Sequence, residues 1–124
     1  MHTIDPTVRD VSSTDWDGLA LQKAEPVSFA VAVEIGNKGA AGADLFHMTV
    51  CNPSHLGRAD TVSSGDWRHQ TLVLETLSFD AVRAAVQEKI RSNGPYGSWP
   101  DFAAKIVPYM AWEFDGMPYP PFAS

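Results

Sequence analysis

The chain has 124 residues, 44% of them hydrophobic, which suits one globular unit able to bury a normal core. Its 15 Asp and Glu against 9 Lys and Arg give a formal net charge of −6, which argues against generic binding to nucleic acid or anionic membranes, because both need a basic face. A single cysteine, Cys51, excludes an internal disulfide and a CxxC-type metal cage.

Residues 1–26 are polar and acidic. Asp5, Asp10, Asp15, Asp17 and Glu25 outnumber Arg9 and Lys23, with short strands expected near 7–11 and 19–22. The opening residues lack the basic and apolar regions of a signal peptide. The longest strongly apolar run, Phe29 to Val33, is too short to span a bilayer, so a cytoplasmic protein without membrane contact is expected.

From Val27 to Ile35 every odd position is large and apolar, and the even ones are small or polar, the pattern of a half-buried strand. Gly36-Asn37-Lys38-Gly39 and Gly42 supply a turn, and 45–51 form the next strand of a hairpin. Its inward residues are Phe46, Met48 and Val50; His47, Thr49 and Cys51 point the other way. After Asn52-Pro53 a polar loop runs to about Trp67, and 69–76 read as a third strand with Leu72 and Leu74 inward.

The period then changes. Phe79, Val82, Val86 and Ile90 lie on one helical stripe, with Ser78 as N-cap and Gly94 as stop. Ser98-Trp99-Pro100-Asp101 opens a last helix with an apolar face of Phe102, Ile106, Tyr109 and Met110, which Pro108 kinks or ends. The expected architecture is α+β: an antiparallel sheet of three to five strands with two C-terminal helices on one face. Residues 1–26 form an acidic segment, 27–77 the sheet, 78–115 the helices and 116–124 a proline-rich tail. The opposite, open sheet face would carry Glu34, His47, Thr49, Cys51, His69, Thr71 and Glu75.

Catalytic signatures are missing: there is no GxGxxG after a strand, no GxxxxGK[ST], no HExxH and no GxSxG. Cys51 and His47 share a face but stand about 13 Å apart along an extended strand, too far for direct proton transfer. An enzyme using Cys51 with His55 or His69 is the alternative reading. The spacing of His47, His55, His69 and Asp66 is not diagnostic of a metal site, and no metal or other cofactor is expected. Trp67, flanked by Asp66 and Arg68, reads as an interface anchor.

Several short words, taken in order, resemble the immunity protein 8 family of bacterial polymorphic-toxin systems. They are Glu34-Ile35-Gly36, Asp44-Leu45-Phe46-His47-Met48-Thr49-Val50, Asn52-Pro53-Ser54-His55-Leu56, Leu72-Val73-Leu74, Ser98-Trp99 and Trp112-Glu113-Phe114. The likeness covers residues 27–115; Pro108 and the proline-rich end depart from it. It implies structural roles for Trp99, Trp112, Glu113 and Phe114, and a protein that binds and neutralises a cognate toxin domain. Many toxins of such systems are nucleases with basic clefts, which an acidic inhibitor would meet quickly. Glu34, Asp60, Asp66, Trp67 and Glu75 are the expected contact residues. A homodimer through a sheet face or edge stays open.

Overall fold

The computed structural model describes residues 3–56 and 65–113. Among these the elements run β1 (Pro6–Ser12), β2 (Ser28–Asn37), β3 (Asp44–Cys51), a 3-10 turn (Pro53–Leu56), β4 (Trp67–Arg68), β5 (Thr71–Val73), α1 (Phe79–Asn93), α2 (Trp99–Ile106) and β6 (Ala111–Trp112). The strands form one sheet in the order β1-β2-β3-β5-β4, with β6 also paired to β3. With a mostly antiparallel sheet and both helices C-terminal, the fold is α+β.

The alternation in β2 and β3 places the core. Antiparallel pairing sets Phe29 opposite Val50, Val31 opposite Met48 and Val33 opposite Phe46. Val82, Val86 and Ile90 of α1 and Phe102 and Ile106 of α2 pack onto that face in one cluster. Burying one such side chain contributes about 1.5–3 kcal/mol, so this stripe dominates the energy that fixes register. Gly39 and Gly42, at φ 82° and 87°, let the chain turn between the two strands.

Both helix starts follow the sequence. Ser78 accepts a hydrogen bond from the Ala81 amide at 3.0 Å, and Ser98 from the Asp101 amide at 3.2 Å. Asp101 reaches back to the Gly97 amide at 3.1 Å, which holds its carboxyl below the usual range. The last helix stops at Ile106. Gln70 then caps its end, its backbone amide donating to the Pro108 carbonyl at 3.0 Å and its Nε2 to the Val107 carbonyl at 2.9 Å. Beyond the turn Met110 is buried and the chain enters β6, an element absent from the sequence-based expectation.

The third strand also differs. A single strand over 69–76 was expected to run antiparallel in the sheet; instead β4 and β5 form a tight hairpin through His69 and Gln70, both at positive φ. β5 lies parallel to β3, with Thr49 opposite Thr71 and Cys51 opposite Val73. A parallel neighbour needs a connection of about a dozen residues or more, and 52–70 supply it. β6 takes the other half of the same β3 edge, with Phe46 opposite Trp112 and His47 opposite Ala111.

The acidic N-terminal segment is built into the fold. β1 pairs with β2 through a bulge between Val8 and Asp10, which lets both Val8 and Val11 face the core. Its outer edge is closed by α1. Gln87 accepts from the Val8 amide at 3.0 Å and donates to the Pro6 carbonyl, while Arg83 donates to the carbonyls of Val8 and Arg9. The tail 116–124 lies outside the described residues.

Candidate partner-binding face

Three of the family words converge on the start of β3. Trp99 at the head of α2 and Trp112 in β6 both donate their indole N–H to the same atom, Asp44 Oδ2, at 2.7 and 3.0 Å. Beside them, the Glu113 carboxylate accepts from the Leu45 amide and the Glu113 amide donates to the Leu45 carbonyl at 3.1 Å. Asp44 and Leu45 thus tie α2 and β6 to the sheet. Both of these Glu113 hydrogen bonds are made to Leu45; Phe114 lies outside the described residues.

This knot borders the face of the sheet that the helices leave open. Cross-strand rows on that face place Asp10 opposite Glu34 and Glu34 opposite Leu45, then Ser12, Ala32, His47 and Ala111 in sequence across four strands. Leu45 is 38% exposed and His47 is exposed. Asp10 and Glu34 form a directly opposed like-charge pair, an arrangement that costs stability. Neither makes an ion pair among the described residues, where Arg91–Glu88 and Lys105–Asp101 are both local to one helix.

The other expected contact residues are scattered. Trp67 is not a loop residue: it pairs with Leu72 in β4, is half-buried, and packs edge-on against Tyr109 at 5.7 Å between ring centres. Asp66 is partly buried just before it, its carbonyl accepting from the Val73 amide. Glu75, expected on the open face, sits exposed in the bend after β5, because the strand ends at Val73. Asp60 lies outside the described residues.

Cys51 is also placed otherwise. It shares the parity of His47 and Thr49, yet it is fully buried and packs with Val73 in a small cluster of its own. Central position between β2 and β5 accounts for this, and burial pushes the thiol pKa up, the opposite of what a nucleophile needs. His55 and His69 are exposed. Among the described residues no group of three or more His, Cys, Asp or Glu is arranged to hold a metal ion.

Asn52 carried a signal that strand periodicity does not show. It is buried, accepts from the amides of Val27 and His55, and donates to the carbonyls of Lys23 and Glu25. All its polar capacity goes to fixing where 23–27 meets the end of β3, so it is a fastening residue rather than a site.

Among the described residues no helix is long and apolar enough to cross a membrane. The sequence matches the family model for immunity protein 8 over residues 6–117. No curated protein and no solved structure matches it. The matched span runs from the first residue of β1 past β6 and takes in the Asp44 knot with every strand and helix described; the chain belongs to the immunity protein 8 family.

Proposed function

We propose that this immunity protein is a stoichiometric inhibitor, not an enzyme, and that it blocks the active site of a basic nuclease domain. The observation that carries the reading is the excess of acid, −6 over 124 residues, with Asp10 and Glu34 opposed on an open face and in no ion pair among the described residues. A basic cleft would relieve that repulsion and gain from it, and complementary fields speed association. Glu34, Asp60, Asp66, Trp67 and Glu75 are the proposed partner-facing set. Burial of Cys51 and the elevated pKa of its thiol favour a binder over a thiol enzyme.

The test is co-expression with a toxin domain found encoded beside this gene, followed by pull-down and a nuclease assay. A one-to-one complex with nuclease activity abolished is the expected result. If the toxin remains lethal and no complex forms, the reading is wrong. If a complex forms with a toxin that cleaves no nucleic acid, the inhibitor role stands and the nuclease assignment falls.

A further inference from the structure

Leu19 is 71% exposed; among the described residues the next exposed large apolar side chain is Leu45 at 38%. Its backbone is also tied into the fold. Its amide donates to Asp17 Oδ1 at 3.0 Å and its carbonyl accepts from the Trp16 indole at 3.3 Å. On one side, Trp16 is stacked on Phe29 at 4.9 Å and set edge-on to Phe79 at 4.9 Å. On the other, Leu21 and Leu77 exchange both backbone hydrogen bonds at 2.8 Å. Gly18 lies between at φ 83°, its carbonyl accepting from the Phe79 amide; a Cβ there would fall 2.1 Å from the Phe79 ring. Backbone on both sides of Leu19 is therefore pinned while its side chain faces solvent.

The surroundings are acidic. Segment 18–22 runs antiparallel to 76–79, so the exposed Asp17 and Asp80 flank the Leu19 end, while Glu75 lies toward the other end, across from the exposed Lys23. Arg83, one turn further along α1, is directed to the backbone of β1 instead. An exposed apolar residue with acids beside it has the anatomy of an interface anchor and part of its rim. Because the backbone is already ordered, less conformational entropy is lost when a partner seats on it.

We propose that Leu19 is the apolar anchor of the toxin interface, seating in an apolar socket rimmed by Lys or Arg on the toxin domain. This rests on the inhibitor reading above and adds an apolar contact beside Asp17 and Asp80, apart from the acids of the open sheet face. A second copy of the chain fits poorly, since it would bring Asp17 and Asp80 against their own kind.

The experiment measures binding of the neighbouring toxin domain, in catalytically inactive form, to the parent protein and to Leu19→Ala, Leu19→Asp and a double Asp17→Asn, Asp80→Asn variant. Unfolding curves of each variant should match the parent, since Leu19 buries little. Leu19→Ala should weaken binding about 10- to 100-fold and Leu19→Asp more. The double variant keeps the Asp17 acceptor for Leu19 and should lower mainly the association rate. Leu19→Asp binding within twofold of the parent overturns the anchor while leaving the inhibitor reading intact. Absence of parent binding overturns both. If the parent is a dimer that Leu19→Asp converts to a monomer, Leu19 serves self-association and the proposal fails.

Discussion

Two indole N–H groups meeting one carboxylate oxygen at Asp44 make a charge-assisted junction, stronger than the same contacts to a neutral acceptor. Removing the acceptor leaves both donors in partly buried positions, and an unsatisfied buried donor costs about 1–3 kcal/mol. Asp44→Ala should therefore destabilise the protein by about 2–4 kcal/mol, read as a lower urea midpoint with an unchanged slope, and Asp44→Asn by roughly half as much. A loss below about 0.5 kcal/mol for the alanine variant would mean that the junction is ornamental. The residues of this junction stand out in the sequence as words, yet their meeting is not legible there, because 55 and 68 positions separate Asp44 from its two donors. Cys51 teaches the converse. Its parity on β3 is readable, but its burial depends on β5 arriving as a parallel neighbour, which no local pattern announces.

At the level of elements, what local chemistry determines was legible and what long-range pairing determines was not. The β2–β3 hairpin, both serine caps and the helical stripe of α1 each follow from residues within one turn or one strand of each other. β4, β5 and β6 have two, three and two residues, too few for a period to show. Ser98→Ala should cost about 1 kcal/mol in thermal or urea unfolding, the usual loss for an N-cap. The same cap gives a pH dependence. Asp101 has its pKa lowered in the folded state, first by the Gly97 amide. Its contribution is thus present above the ordinary carboxylate range and is lost as the pH falls through that range toward the folded value. Asp101→Asn should flatten the stability profile there, and an identical acid slope in parent and variant would contradict it. A third element-level expectation concerns the edge of β1. Gln87 and Arg83 occupy the backbone groups that a bare edge strand would offer to another chain. The double variant Gln87→Ala, Arg83→Ala should form higher-order species in light scattering at concentrations where the parent does not. Equal scattering would show that the guard is unnecessary.

For the whole molecule, the charge of −6 takes on a spatial meaning that composition alone does not give it. The two helix-local ion pairs among the described residues neutralise Glu88 and Asp101, while Asp10 and Glu34 on the open face, and Asp17 and Asp80 beside Leu19, project acid from two surfaces. Such a field acts beyond contact distance at low salt and is cut off within about 10 Å at 0.1 M ionic strength. If the proposed partner is a basic domain, the association rate should fall steeply as salt is raised, with a much smaller change in dissociation. Reversing Asp10 and Glu34 together to Lys should slow association at low salt and flatten the salt dependence. The same change replaces one like-charge cross-strand pair with another, so fold stability should move little. Stopped-flow rates across a salt series, paired with unfolding curves, separate the two effects. An association rate that is flat with salt in the parent would leave the acidic surface without the steering role assigned to it, and binding would then rest on shape and apolar contact alone.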